Sequence, residues 1–289
     1  MRGSSGEQMM QVLRVIMIGD VVGDPGLLLL ERRLPLLIKE ESADFVVVNG
    51  ENAAAGFGLT APVLEKLFAA GADVVTGGNH IWEKREFWPT LDEEIRVLRP
   101  MNYSAGAPGR GFVQLTKPSP WGEKKWLVLN LQGREFMTPI DCPFKSFDDI
   151  EAGLNAPLSQ IQSASDAEGE ISIILVDFHA ESSREKEALA YYLDGRASVV
   201  AGTHTHVQTA DERILPKGTA YITDLGMTGV LDGIIGMDPK ICLDRARNQV
   251  LYRMEVAAPD GDDKTGIQGI IAEIDGTSGK ALSIRRIET

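Results

Sequence analysis

Five apolar runs in this chain each stop at a short polar cluster, and that repeated punctuation constrains the fold more than any bulk property. Val12 to Ile18 ends at Gly19-Asp20, Phe45 to Val48 at Asn49-Gly50-Glu51-Asn52, and Asp73 to Thr76 at Gly77-Gly78-Asn79-His80. Ile171 to Val176 leads into Asp177-Phe178-His179, and Ser198 to Ala201 into Gly202-Thr203-His204-Thr205-His206. Short apolar runs bounded by turn residues read as buried strands. Between the first three lie helix-like stretches: Leu27 to Glu41 after Pro25, a good helix opener, and Thr60 to Ala70, stopped by Gly71. Strand and helix alternating in this way imply parallel strands with right-handed crossovers. In such sheets the carboxyl ends of the strands form the ligand crevice, so side chains as remote as Asp20 and His206 can meet there.

The middle of the chain changes character. Phe112 to Thr116 and Trp126 to Leu131 flank the turn-rich segment Lys117 to Lys125, which predicts an antiparallel hairpin. Gly153 to Gly169 reads as a helix end and a surface loop, and Glu185 to Leu193 as a helix. Gln249 to Ala257, Ile267 to Ile274 and Leu282 to Ile287 read as further hairpin strands. Candidate ligands come from both halves of the chain. The expectation is therefore one α/β domain with two sheets over residues 12–289, after a disordered lead-in at 1–11.

Bulk properties exclude several classes. Hydrophobic residues at 43% and charged residues at 25% give an ordinary globular balance. No apolar run approaches the ~20 residues of a membrane span, and the polar stretch Met1 to Gln11 is no secretory signal. Cys142 and Cys242 are far apart and outside any CxxC spacing, which argues against a disulfide framework or zinc ribbon and for a cytoplasmic protein. A net charge of −13 argues against binding duplex nucleic acid. It does not argue against a small phosphate-bearing substrate, because bound divalent cations reverse the local sign.

All four histidines lie in the polar clusters, a bias that purely structural histidines should not show. The residue types suit a mixed oxygen and nitrogen site for iron or manganese, with zinc as a third option. Taken singly, each cluster has an ordinary reading. Asp20 can be a turn or cap residue, Asn49-Gly50 is itself a turn signal, and Gly78-Asn79-His80 can be a tight turn. A lone His179 is as well explained by hydrogen bonding. His204-Thr205-His206 carries most, since on an extended backbone residues i and i+2 point the same way. Together the clusters point to metal binding.

The ordered motifs IGDVVGDPG, VVNGENAAAGFGLT, TGGNHIW, DFHAE, GTHTHVQTAD and GTAYITDLGMTG resemble those of the calcineurin-like metallophosphoesterases, and more closely their bacterial branch of YmdB-type phosphodiesterases. The resemblance runs from Leu13 to the C-terminus. It implies a four-layer α-β-β-α sandwich with two mixed sheets and two metal ions. One would be held by Asp20, Glu51 and His206 with Asn52 at or near it, the other by Glu51, Asn79, His179 and His204, with Glu51 bridging. It also implies hydrolysis of phosphodiesters, 2′,3′- or 3′,5′-cyclic nucleotides among them, with His80 as proton donor to the leaving oxygen. Val22 stands where the wider superfamily has a histidine two residues after the aspartate, and Glu51 replaces its bridging aspartate. Both departures are habits of the branch. Ser182-Ser183-Arg184 differs slightly from the expected segment, at a place that bears on substrate more than on metal.

Physical chemistry supports the same expectation. Two metals ~3.5–4 Å apart lower the pKa of a bridging water and clamp phosphoryl oxygens for in-line attack. Asp20 and Glu51 bring −2 against about +4, so the site stays attractive to a phosphodiester despite the acidic chain. Histidine as a residue type titrates in a range suited to proton transfer. Two other readings stay open. Gly19, Gly23 and Gly26 form a glycine-rich turn that could cradle a dinucleotide pyrophosphate in an oxidoreductase, though this leaves the histidines unexplained. A regulator that binds a nucleotide without turning it over is the second. Gly56-Phe57-Gly58 and Gly226-Met227-Thr228-Gly229 read as loops near the crevice, no substrate contact is assigned, and a homo-oligomer is left open.

Overall fold

The computed structural model describes residues 11–155, 173–260 and 264–289. Chain order is β1 (Val12–Ile18), β2 (Asp20–Val21), α1 (Gly23–Glu41), β3 (Phe45–Asn49), α2 (Ala61–Ala69), β4 (Val74–Thr76) and α3 (Trp88–Glu93). It continues through the hairpin β5 (Phe112–Ser119) and β6 (Gly122–Gln132), then α4 (Pro143–Asn155), β7 (Ile173–His179), α5 (Ser183–Tyr192) and β8 (Val199–Thr203). The last stretch holds β9 (Arg213–Ile214), β10 (Ala220–Ile222), β11 (Met227–Val230), α6 (Pro239–Asn248), β12 (Thr265–Asp275) and β13 (Ala281–Glu288).

Two mixed sheets result. The first runs β2-β11-β12-β1-β3-β4, with β13 paired to β12; the second runs β5-β6-β7-β8-β10-β9. β1, β3 and β4 are parallel, as are β6, β7, β8 and β10, while β12 and β5 pair antiparallel to their neighbours. Alternation along the strands sorts side chains into layers. Leu13, Val15 and Met17 of β1 face the second sheet and pack with Val128, Leu175 and Val199. Ile16 and Ile18 face the other way, onto Leu30 and Leu34 of α1 and Leu67 of α2. On the far side, Leu129, Val176 and Val200 meet Phe147 of α4 and Leu189 of α5. Phe45 stacks on Trp126 across the central layer at 4.5 Å between ring centroids. This is the four-layer α-β-β-α sandwich with two mixed sheets that the motifs implied.

Several local expectations need correction. α1 starts at Gly23, ahead of Leu27, because Gly23 takes a positive φ of 60° that lets the chain turn directly out of β2. The hairpin strands extend through most of Lys117 to Lys125, since all but the tip finds a ladder partner. Gln249 to Ala257 is not a strand. Asp238 caps a helix instead, its Oδ1 accepting from the Ile241 amide at 2.9 Å, and among the described residues the chain between α6 and β12 has the isolated bridge Met237–Val256 as its one β-pairing. Of the expected loop Gly226 to Gly229 only Gly226 is outside regular structure: Met227–Val230 is a buried strand that pairs with both β2 and β12. Gln11 is tied down rather than part of a loose lead-in, accepting from Lys124 Nζ at 2.7 Å and from the Gly276 amide at 2.6 Å. Residues 1–10 of that lead-in, 156–169 of the expected surface loop, and Ile171 and Ser172 at the head of β7's apolar run lie outside the described residues.

Candidate metal centre

The strand ends of both sheets open on one point. Asp20 sits in β2, Glu51 and Asn52 just after β3, Asn79 and His80 after β4, His179 at the end of β7, and His204 and His206 after β8. Asp20, Glu51 and His179 are fully buried. His179 Nε2 lies 3.1 Å from Glu51 Oε1, 3.1 Å from Asn79 Oδ1 and 3.0 Å from His204 Nδ1. On the other side, Asn52 Nδ2 lies 3.4 Å from Asp20 Oδ1, 3.2 Å from Glu51 Oε1 and 3.2 Å from His206 Nε2. His206 Nε2 is 3.6 Å from Asp20 Oδ1. All seven expected ligands therefore converge, with Glu51 between the two groups.

How the rings are held bears on what they can bind. His179 Nδ1 meets Thr203 Oγ1 at 2.9 Å, and that hydroxyl in turn donates to Asp177 Oδ1 at 2.7 Å. His206 Nδ1 donates to the Ile235 carbonyl at 2.9 Å, and His204 Nε2 faces Glu181 Oε2 at 3.2 Å. Each ring thus spends its outer nitrogen on an acceptor and turns the other inward, the arrangement that fixes the tautomer of a metal-ligating histidine. Two inward lone pairs at 3.0 Å, on His179 and His204, need one proton or one cation between them.

The electrostatics say the same. Burial alone would raise the two carboxyls. Instead His206 and His179 hold Asp20 well below the usual carboxylate range, and His179 holds Glu51 below it. Burial opposes charge on His206, yet the hydrogen bond and charge of Asp20 push it up to about 9. His179 is likewise raised against burial by Glu51, whereas burial and then the neighbouring His179 push His204 down to about 4. The pocket thus draws in positive charge while keeping one imidazole neutral.

Three further features fit metal ions. Asn52 Oδ1 is buried with no hydrogen-bond partner, a costly state unless a ligand satisfies it. A Cβ on Gly78 would overlap both Glu51 Oε2 and His179 Nε2, so only glycine leaves that space open. Glu51, His179 and His204 place one candidate donor atom each within 4.8 Å of one another, and the donor set is all oxygen and imidazole nitrogen.

One expectation about these ligands fails in its reason. His204 and His206 are not on extended backbone: β8 ends at Thr203, and the two histidines hold φ of 99° and 62°. The strained turn presents one ring to each half of the site. Its anchor is Thr205 between them, whose amide and hydroxyl donate to Asp224 Oδ2 at 3.2 and 2.7 Å. Asp224 is itself ion-paired to Lys186 Nζ at 2.6 Å, both side chains being essentially inaccessible. Sequence reasoning missed this pair, because a lysine in a polar helix gives no sign of burial. It also missed Asp177, which accepts from Thr76 at 2.5 Å, Thr203 at 2.7 Å and Asn49 at 3.0 Å. Burial pushes the Asp177 carboxyl up to about 6 despite those hydrogen bonds. The signal was present, since Asp177 and His179 are two apart on one strand and share a face.

His80 stands at the rim. Its amide donates to Glu51 Oε2 at 3.0 Å, its Nδ1 meets Glu83 Oε1 at 3.2 Å, and its ring packs edge-on to Phe57 at 5.0 Å. It lines a cavity of about 750 Å³ together with Asn52, Phe57, His204 and His206. The glycine-rich turn of the oxidoreductase reading offers no phosphate cradle. Gly19 and Gly26 abut the carbonyls of Gly226 and Thr228, and Gly23 abuts Val256, so these glycines serve close packing.

Fold and site together define the architecture of a calcineurin-like metallophosphoesterase. Comparison with known proteins narrows this: the model of the YmdB-like protein family matches residues 16–287, and the chain belongs to that family. It is 43% identical over 277 residues to a Bacillus subtilis protein named 2′,3′-cyclic-nucleotide 2′-phosphodiesterase, covering 95% of this chain and 96% of that one. A Mycoplasma pneumoniae structure described as a novel phosphatase superposes with a TM-score of 0.83 at 29% identity, over 97% of this chain and 94% of that one. A hypothetical protein from Thermus thermophilus gives a TM-score of 0.81 at 38% identity, over 96% and 99%. No helix among the described residues is long and apolar enough to cross a membrane.

Proposed function

We propose that residues 12–289 form a single metal-dependent phosphodiesterase domain that hydrolyses small phosphodiesters, cyclic nucleotides foremost, and the 2′,3′ isomers first among them. The observation that carries this is the meeting of seven donor side chains from five strand ends around the buried Glu51 carboxylate. The 2′,3′ preference leans on the name of the Bacillus subtilis relative. Asp20, Glu51 and His206, with Asn52, would hold one cation; Glu51, Asn79, His179 and His204 would hold the second. Iron or manganese suits these donors best, with zinc as a third option. When bound, such cations supply Lewis acidity at the phosphoryl oxygens and a more acidic water.

The chain's own residues do the rest. Glu51 stays ionised in full burial and sits where it can serve both cations, offsetting their repulsion. Asp177, Thr203 and the Ile235 carbonyl fix the ring orientation of His179 and His206, so those two rings are held in place ahead of binding. His80 donates Nδ1–H to Glu83, which leaves Nε2 for the leaving oxygen; with Nε2 protonated as well, the imidazolium gives up that proton as the bond to phosphorus breaks. Cys142 and Cys242 are free thiols, in keeping with a cytoplasmic, reducing setting.

The test is a substrate panel on metal-reconstituted protein: 2′,3′-cyclic, 3′,5′-cyclic and linear nucleotides against bis-p-nitrophenyl phosphate. Turnover of the cyclic diesters and its loss in Glu51→Gln are expected. A Glu51→Gln variant as active as wild type on all of them overturns the proposal.

A further inference from the structure

The cavity beside the metal centre is far larger than a phosphodiester group needs, and only one wall of it belongs to the strand ends. Much of the rest of the lining is α6 with the chain on either side of it: Met237, Arg245, Gln249, Leu251 and Met254. None of the residues of α6 is buried, so the helix is not there to complete the core. It rests on a small satellite cluster in which Met227 and Met237 are buried and Met254 and Val256 pack against them. Flexible thioethers of this kind fit irregular apolar ligands. Leu251 is 83% exposed, an unusual placement for a leucine facing a pocket. Arg245 is the one lysine or arginine in the lining, and its guanidinium makes no ion pair among the described residues.

A wall with an apolar floor, an uncommitted guanidinium at Arg245 and the side-chain amide of Gln249, whose Nε2 donates to the Ala246 carbonyl at 2.9 Å and whose Oε1 is left to accept, matches a nucleoside, which has flat apolar faces and a hydrogen-bonding edge. Volume agrees: about 750 Å³ falls within the usual range for small-molecule sites. Taking the phosphodiesterase reading above as its basis, we propose that the α6 wall is the nucleoside subsite. The base lies against Leu251 and Met254 opposite Phe57, and Arg245 and Gln249 address its polar edge. The wall then sets which diesters are used, while the strand-end wall does the chemistry. Arginine suits the role because its planar fork both stacks on a base and donates to ring acceptors.

The experiment compares kcat/KM for nucleoside 2′,3′-cyclic phosphates with kcat/KM for ethylene phosphate, the same five-membered ring without sugar or base, followed by ³¹P NMR. Arg245→Met and Leu251→Ser are expected to lower the nucleotide-to-ethylene phosphate ratio by about tenfold, the value of one charged hydrogen bond or a comparable apolar contact, with the loss in KM. Leu243→Ser lies on the same helix outside the lining and keeps the wild-type ratio. A ratio unchanged in both wall variants overturns the subsite while leaving the phosphodiesterase reading intact. A wild-type protein that hydrolyses neither compound overturns both.

Discussion

Replacing Asp224 by asparagine is expected to be among the most damaging near-isosteric changes in this chain. Lys186 Nζ and Asp224 Oδ2 are 2.6 Å apart, with side-chain exposures of 1% and 0%. Asparagine keeps the shape but leaves a buried ammonium without its counter-charge, which typically costs about 3–5 kcal/mol. For a chain of this size roughly 2 °C of melting temperature goes with each kcal/mol, so a drop of about 6–10 °C is expected. Lys186→Met should cost less, because the Asp224 carboxylate keeps the Thr205 amide and hydroxyl and the Gly226 amide as donors. The double variant Lys186→Met/Asp224→Asn removes both charges and should recover part of the loss. Thermal melts of the three variants, each with and without added Mn²⁺, separate fold from site. Added Mn²⁺ is expected to stabilise wild type, and since Thr205 holds the turn carrying His204 and His206, Asp224→Asn should lose most of that gain. A double variant no more stable than Asp224→Asn would refute the reasoning, as the buried charge would then not be the cause.

Gly78→Ala puts a methyl group where Glu51 and His179 already stand. It should cost about 1–3 kcal/mol by overpacking and abolish metal binding, checked by urea denaturation and elemental analysis. Asp211 is one contributor to the acid limb of stability. Burial raises its carboxyl, but hydrogen bonds with Thr209 and Thr223 and the charge of Arg213 bring it below its ordinary 3.8. A carboxyl lowered in the fold stabilises above its unfolded pKa and loses that contribution as pH falls through the folded one. Asp211→Asn should therefore be less stable than wild type at neutral pH. The gap should close below pH 3.8, as read from denaturation midpoints across an acid series.

Much of the candidate site could be read from sequence because its proposed ligands sit at strand ends, and strand ends are marked by an abrupt change from apolar to polar residues. Asp20, Glu51, Asn79 and His179 all follow such a change. What holds them could not be read that way. Lys186 occupies a helix whose neighbours are Glu185 and Glu187, and only the tertiary packing of that helix over β8 shows that Lys186 is buried and Glu187 is not. The turn at His204 and His206 had the right residues and the wrong backbone. Alternation rules assume a strand, and positive φ at two non-glycine residues is set by tertiary hydrogen bonds to Asp224 and Ile235. α6 escaped notice because its short sequence is polar on balance, as befits a helix that buries no residue. Gly226 to Gly229 looked like a loop for the opposite reason. Glycine there signals the close approach of the chain to Gly19 and Val22, with only Gly226, at a φ of 82° just ahead of β11, in a turn conformation.

The most direct measurement is the metal content per chain of wild type and Glu51→Gln, by elemental analysis after reconstitution and dialysis, alongside turnover of a 2′,3′-cyclic nucleotide. Two cations per chain with turnover in wild type, and at most one with none in the variant, is the outcome this account predicts. Turnover that survives exhaustive chelation, or a variant that retains both cations and full activity, would contradict it.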